Sequence, residues 1–161
     1  RYTMRTIQTT VYSFNELSEA AQQAAIEELR NINVNHNWWA FTYNGATNVF
    51  IKINGFDIYR KDITISVDNV QETVGKILEE HGKSCDTYKL AEKFLSDYNE
   101  LIEDETFDDK NADLEADFIQ AIGEEYLSIL SNEYDYQTSD EAIIETIEAN
   151  SYEFTEGGEL I

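Results

Sequence analysis

The chain has 161 residues, of which 42% are hydrophobic, and it contains ten Tyr, eight Phe and two Trp. This aromatic content is too high for a disordered acidic tail and predicts a folded protein with a sizeable core. The formal net charge of −22 disfavours direct binding of nucleic acid, because such binding relies on Lys and Arg, and the chain has 11 of these against 33 acids.

The negative charge is concentrated in the last third of the chain. Residues 1–99 carry 13 acidic and 10 basic side chains, a net of −3, whereas residues 100–161 carry 20 acidic side chains and one lysine, a net of −19. Solubility requires a net charge of only about 2 to 8, and repulsion among so many carboxylates destabilises a compact state. The uneven distribution indicates a use for the charge, with a merely solvated surface as the alternative.

Other features of the composition predict where the protein works. No apolar run approaches the roughly 18 residues that a membrane span needs, and we expect no signal peptide. The single cysteine, Cys85, excludes an internal disulfide and favours a reducing compartment.

The first half of the chain predicts a strand followed by two helices. Residues 6–14 alternate and are rich in β-formers, which is typical of a strand. Ser18 is the expected N-cap of a helix with apolar side chains at Ala21, Ala25 and Leu29. Residues 38–50 predict a second helix, in which Trp38, Trp39, Phe41 and Tyr43 pack against the core rather than stack on bases.

The middle of the chain predicts β-structure and then two helices. Asn54-Gly55 is a strong hairpin signal between two short strands, and residues 62–67 alternate as a third strand. Asp68 and Gln71 form a predicted capping box for a helix that ends near His81. Asp86 is the expected cap of the next helix.

The acidic portion predicts two more helices and a short β-element. A long helix is expected over about 111–134, and Thr138 with Glu141 forms a second predicted capping box. The tail, residues 152–161, predicts a hairpin through Gly157-Gly158 or one added edge strand. The whole predicts a single α+β domain over 1–161, a small antiparallel sheet with about five helices, whose acidic portion is 100–161.

The stretch LIEDETFDDKNADLEADF (101–118) contains eight acidic side chains and one lysine. Aligned on an EF-hand from Asp109, it has Leu114 where the turn needs glycine and Gln120 where calcium needs a bidentate glutamate. A specific calcium site is therefore not expected, although weak condensation of divalent cations is. The two histidines, His36 and His81, are too far apart in sequence to indicate a metal site.

No catalytic motif is present. Cys85 follows His81 and Lys83 closely, but proximity in sequence is not a catalytic pair, and we expect a partly buried, inert cysteine. With 33 acids, many carboxylate pairs are possible, so a hydrolase with an acidic site stays an alternative. Neither a catalytic residue nor a cofactor is predicted.

The charge itself predicts an interaction surface. Carboxylates three or four residues apart on a helix lie about 5 to 6 Å from one another, so rows of them resemble the phosphates along a nucleic-acid strand. Such a surface fits a protein groove built for phosphate and gains the steering and salt dependence of nucleic acid. The predicted partner-binding residues are Glu103, Asp104, Glu105, Asp108, Asp109, Asp113, Glu115, Asp117, Glu141, Glu145 and Glu148.

Three segments carry a resemblance: FNELSEAAQQAAIEELRNINVNHNWWAFTY, HGKSCDTYKLAEKFL and TSDEAIIETIEANSYEFTEGGEL. The chain resembles a group of small acidic phage and prophage proteins, some of them labelled antitoxin-like. In that group a charged helical run follows the double Trp, where this chain has NGATNVFIKING. The resemblance implies a mobile-element origin, a bacterial cytoplasm and a non-enzymatic role.

We therefore expect a phage-type inhibitor that binds a basic, nucleic-acid-handling host defence protein, such as a restriction or CRISPR effector, by mimicking nucleic acid. An antitoxin-like protein that neutralises a basic toxin by direct binding is the first alternative, and the hydrolase is the second. The partner is a basic protein in both leading hypotheses, with neither direct nucleic-acid binding nor a membrane.

Overall fold

The computed structural model describes residues 3–161 and confirms the predicted α+β class. Within that range the chain forms six α-helices and four β-strands, where about five helices were expected. The helices are α1 (Glu19–Glu28), α2 (Ala40–Asn48), α3 (Val70–Glu80), α4 (Asp86–Leu101), α5 (Phe107–Gln137) and α6 (Asp140–Ala149). The strands are β1 (Tyr12–Ser13), β2 (Ile51–Asp57), β3 (Asp62–Val67) and β4 (Glu153–Phe154). None of the helices in this range is long and apolar enough to cross a bilayer.

The chain divides into two compact units. The first unit extends to Trp38 and includes Tyr134–Ile161, and the second is Trp39–Glu133. The division falls near the end of α5. Each unit has its own cluster of buried apolar side chains.

The first unit packs α1 and α6 beside a two-residue antiparallel pairing of β1 with β4. Its core includes Phe14, Ala25, Ile143 and Phe154, and the rings of Phe14 and Phe154 meet edge to face at 6.4 Å. The strand expected over 6–14 is wrong for most of its length, since only Tyr12 and Ser13 are paired. β-propensity depends strongly on tertiary context, and β4 offers only two residues to pair with.

The tail combines both expected arrangements. β4 adds to β1 as an edge strand, and Phe154 also forms an antiparallel bridge with Leu160. The turn between them is closed by the N–H of Gly158, which donates to the carbonyl of Thr155 at 3.0 Å. Gly158 has φ +89°, a conformation that glycine adopts without steric cost.

In the first unit, the predicted N-cap is confirmed for α1 and lies one residue later than predicted for α6. Ser18 caps α1 as predicted, because its hydroxyl accepts from the N–H of Ala21 at 3.1 Å. The expected Thr138 box is wrong: Ser139 caps α6 by accepting from Ala142 N–H at 3.3 Å. Thr138 instead donates its hydroxyl to the carbonyl of Tyr134 at 2.9 Å, which satisfies one of the last carbonyls of α5.

The sheet of the second unit corrects the predicted Asn54-Gly55 hairpin. β2 continues through this dipeptide and pairs with β3, so the hairpin turn lies at 58–61 instead. A bulge between Ile53 and Gly55 adds one residue to β2. Because side chains alternate faces along a strand, the extra residue puts Phe56 opposite Ile63, on the same face as Ile53. The dipeptide thus forms a bulge that keeps the apolar face continuous.

The second unit packs this sheet with α2, α3, α4 and the larger part of α5 around one core. The alternation of Ile63, Ile65 and Val67 is confirmed, and all three pack against that core. Two predicted caps are wrong by one residue. Asn69, not Asp68, caps α3 by accepting from Glu72 N–H at 3.1 Å, and Cys85 occupies the N-cap of α4, without a side-chain cap bond, where Asp86 was expected.

Candidate acidic interface

The turn before α5 is organised by Asp104. One carboxylate oxygen accepts from both the hydroxyl and the N–H of Thr106, at 2.6 and 2.7 Å. The other accepts from the ammonium of Lys110 at 2.9 Å. The hydroxyl of Thr106, then Lys110 and the Thr106 N–H hold the pKa of Asp104 well below its usual range. Asp104 therefore remains ionised and serves the local structure, although it was predicted to bind the partner.

The helix α5 begins four residues earlier than predicted, inside the acidic stretch. Asp108 and Asp109 occupy its first turn, where carboxylates interact favourably with the helix dipole. On the apolar side of α5, Phe107 packs against Tyr98 at 5.6 Å between ring centroids, and Phe118 packs against Phe94 at 5.4 Å. The acidic stretch is therefore a helix anchored by aromatic contacts.

Asp109, Asp113 and Asp117 form a row of exposed carboxylates on α5 at four-residue spacing. Successive members are about 6 Å apart along the helix axis. Within residues 3–161, none of the three has an ion-pair partner within 4 Å. We call these three residues the α5 row.

The remaining predicted residues of this stretch have other surroundings. Glu103 and Glu105 are exposed in the turn between α4 and α5, and Asp108 is exposed beside the α5 row. Glu115 is only partly exposed and accepts from the side-chain amide of Asn111 at 3.1 Å. Glu115 therefore contributes less accessible charge than the α5 row.

A groove lies between α4 and α5, next to the α5 row. It consists of two adjoining hollows with volumes of about 310 and 270 Å³. Asp97 and Asp117 line both hollows together with the apolar side chain of Leu114, whereas Asp113 lines only the smaller one. Lys93 lines the larger hollow and Lys110 the smaller one. We call this the α4–α5 groove.

Glu141, Glu145 and Glu148 are all exposed on α6, in the first unit. Glu145 accepts a hydrogen bond from the hydroxyl of Tyr136 at 3.1 Å. The three glutamates keep the predicted four- and three-residue spacing on one helix. The predicted acidic residues thus form two groups, 103–117 in the second unit and 141–148 in the first.

The first unit contains a cavity of about 530 Å³, which is relevant to the hydrolase alternative. Glu16, Glu148 and Glu153 line it, with Phe14 and Tyr152. Ser13 donates its hydroxyl and its N–H to Glu16 at 2.7 and 3.0 Å, and these bonds lower the pKa of Glu16. A general acid needs the opposite shift, so Glu16 is suited to capping the turn at 14–16 rather than to donating a proton.

The described side chains also offer little geometry that could hold a metal ion. The span 109–120, tested above as a calcium loop, is continuous helix within α5. Across residues 3–161, no group of three His, Cys, Asp or Glu side chains is arranged to hold a metal ion.

The histidines and the cysteine differ in their surroundings. His36 is exposed, whereas Nδ1 of His81 lies 2.6 Å from the hydroxyl oxygen of Thr87. Burial of the imidazole lowers the pKa of His81. Cys85 is exposed, which corrects the expectation of partial burial.

The aromatic residues around the double Trp are divided between packing and exposure. Trp39, Tyr43 and Phe56 contact one another at centroid distances between 6.2 and 6.5 Å. Trp38 packs against Tyr134 at 5.5 Å. The packing prediction is wrong for Phe41, which is 89% exposed.

The fold and the site define an α+β protein that displays carboxylates on well-anchored helices. No family model, curated protein or solved structure matches the chain. Asp97 was missing from the predicted interface. Its four-residue spacing from Lys93 marks a helix surface in the sequence, but the sequence does not indicate that this surface lies beside the α5 row.

Proposed function

We propose that this protein is a non-enzymatic inhibitor of phage type, which binds a basic, nucleic-acid-handling host defence protein and occupies its phosphate-binding groove. The α5 row carries this proposal. Asp109, Asp113 and Asp117 are exposed, evenly spaced and free of intramolecular ion pairs within the described part of the chain. A groove that binds nucleic acid presents Lys and Arg to regularly spaced negative charges, and the α5 row supplies such charges on a helix.

The α5 row can bind a cation without first breaking an ion pair. A carboxylate that is already paired must lose its partner before it binds another cation, whereas an exposed, unpaired one only loses water. Lys93 is paired with Asp97 and Lys110 with Asp104, both at 2.9 Å, so neither lysine forms an ion pair with the α5 row. The resulting field accelerates encounter with a basic surface and makes the affinity fall with salt.

The test is capture of partners from a bacterial lysate at low salt, followed by reconstitution with each purified partner. Asp109→Asn, Asp113→Asn and Asp117→Asn together form the test variant. The matched control replaces three exposed acids outside the acidic portion, Glu19→Gln, Glu72→Gln and Glu92→Gln, which changes the net charge equally. A third variant, with Glu141, Glu145 and Glu148 changed to Gln, examines the group on α6.

We expect the captured partner to be a nucleic-acid-binding protein, and double-stranded DNA to compete for the complex. The α5 variant should bind at least about 10-fold more weakly, since three charge contacts are lost at about 0.5 to 1 kcal/mol each. The control should change the affinity less than about 3-fold. Capture that survives both acidic variants would refute the proposal, and capture of a small basic toxin encoded beside this protein would establish the antitoxin role instead.

A further inference from the structure

The α4–α5 groove is lined by apolar side chains and by charged side chains. Of the apolar residues, Phe94 and Phe118 are buried, and Leu90 and Leu114 are partly exposed. The charged residues are Asp97, Asp113 and Asp117, together with Lys93 and Lys110, each of which is paired with an aspartate. This combination differs from a surface that carries only carboxylates.

A mimic of phosphate charge has no need of an apolar groove, because a nucleic-acid-binding surface is polar and basic. Exposed apolar surface beside unpaired carboxylates matches a protein segment that carries both apolar and basic side chains. Each hollow, about 310 and 270 Å³, has room for a large apolar side chain. The side chains that line the groove therefore specify the chemistry of its binding partner more closely than the net charge of the protein does.

The pattern of ion pairs around the groove supports the binding of a segment with apolar and basic side chains. Lys93 is bonded to Asp97, and the nearby charge of Asp117 adds to the rise in the pKa of Lys93. Asp113 and Asp117 stay without an ion pair within 4 Å in residues 3–161. Two carboxylates at four-residue spacing on α5 thus remain available to two cations of an incoming segment.

We infer that the α4–α5 groove binds a basic amphipathic helix of the partner, with its apolar side chains over Leu114 and its Arg or Lys side chains on Asp113 and Asp117. This inference rests on the proposed function and specifies how the partner is recognised. Helices that place apolar anchors at i, i+4 and i+7 into a groove are a recurrent mode of peptide recognition. Charge complementarity decides for a basic helix over a second copy of this chain, whose own helices carry an excess of acids.

The experiment uses the full chain and two synthetic peptides of about 15 residues. The first peptide has leucines at i, i+4 and i+7 and arginines on the flanking positions. The second has serines in place of the leucines, with the same charge. Binding is measured by fluorescence anisotropy at about 150 mM NaCl, where the Debye length is about 8 Å and distant charges are screened.

The test variant is Asp113→Asn with Asp117→Asn, and its matched control is Glu19→Gln with Glu72→Gln, two exposed acids outside the acidic portion. We expect the leucine peptide to bind the test variant about 10-fold more weakly and the control less than about 3-fold more weakly. The serine peptide should bind the unaltered protein at least about 10-fold more weakly than the leucine peptide. Backbone amide NMR shifts on adding the leucine peptide should be largest in 90–101 and 110–121. Circular dichroism verifies that both variants retain their helices.

The outcomes separate this inference from the proposed function. Equal binding of the two peptides, or an equal or greater loss in the Glu19/Glu72 variant, would overturn the groove while leaving an acidic binding protein in place. Shifts confined to the first unit would also overturn it. If neither peptide binds and the α5 variant still captures its lysate partner, both proposals fail together.

Discussion

Gly158 lies directly against the backbone of Ala21, where the tail of the chain meets the first turn of α1. A Cβ at position 158 would overlap the carbonyl oxygen of Ala21 and approach its carbonyl carbon to 3.0 Å. Gly158 also has φ +89°, which side chains other than glycine rarely adopt. The contact joins β4 and the tail to α1 within the first unit, and only glycine fits it.

Gly158→Ala is therefore expected to destabilise the protein by about 3 kcal/mol, because it combines a strained backbone with a clash against main-chain atoms. Urea unfolding, followed by circular dichroism, measures the change. Gly157→Ala is the matched control, since the nearest atom to its Cβ would be the Thr155 hydroxyl at 4.0 Å. Equal stability of the two variants would contradict the packing of the tail described here.

Arg30→Ala is expected to reduce the free energy of unfolding by about 1.5 to 3 kcal/mol. The guanidinium donates to Asp140 at 2.6 Å and to the carbonyl of Thr138 at 3.0 Å, and it also pairs with Glu27. These bonds link the end of α1 to the start of α6. Arg60→Ala is the control, since the Arg60 side chain is 86% exposed and 3.8 Å from Asp57, and such a pair contributes at most about 1 kcal/mol. Similar losses in the two variants would show that Arg30 acts as an ordinary surface charge.

Asn69→Ala and Asp68→Ala test which residue caps α3. The side chain of Asn69 accepts from the N–H of Glu72, so its loss is expected to cost about 1 kcal/mol. Asp68 has no such bond to α3 and its replacement should change stability by less than about 0.5 kcal/mol. Thermal unfolding of both variants gives the comparison. The reverse order of stability would restore the capping box that the sequence predicted.

His81 is expected to make stability depend on pH. Its folded pKa is lowered by burial, so below its ordinary value of 6.5 the unfolded chain binds the proton more readily than the folded one. The contribution of His81 is thus complete above about pH 6.5 and is lost as the pH falls through its folded pKa. Thermal unfolding between about pH 7.5 and 5 should show a smaller loss for His81→Asn than for the unaltered protein.

His36→Asn is the control for this measurement, since His36 is exposed to solvent. Acidification also removes the stabilising contributions of three carboxylates with lowered pKa, but in a lower pH range than for His81. These carboxylates are Glu16, Glu27 and Asp104. The pH range in which His81 affects stability is therefore separable from that of the carboxylates. An identical pH profile for His81→Asn and the unaltered protein would exclude His81 as the source.

Features that lie within a single helix were predicted well from the sequence because they depend on local spacing. The N-cap of α1 at Ser18 and the end of α3 near His81 follow from local capping chemistry. The four-residue spacing in the α5 row is also a property of one helix. The expected start of α5 was four residues late because the aromatic contacts of Phe107 are not visible in local sequence.

The sequence by itself determined the α+β class, the helical spacing of the carboxylates and the concentration of charge after residue 100. Tertiary structure decided that Asn54-Gly55 forms a bulge, because keeping Phe56 on the apolar face of the sheet outweighs a local turn preference. It also divided the predicted acidic residues between two units and brought Asp97 beside Asp113 and Asp117. Such proximity depends on contacts between residues distant in the chain, such as Phe94 with Phe118, and local spacing carries no information about them.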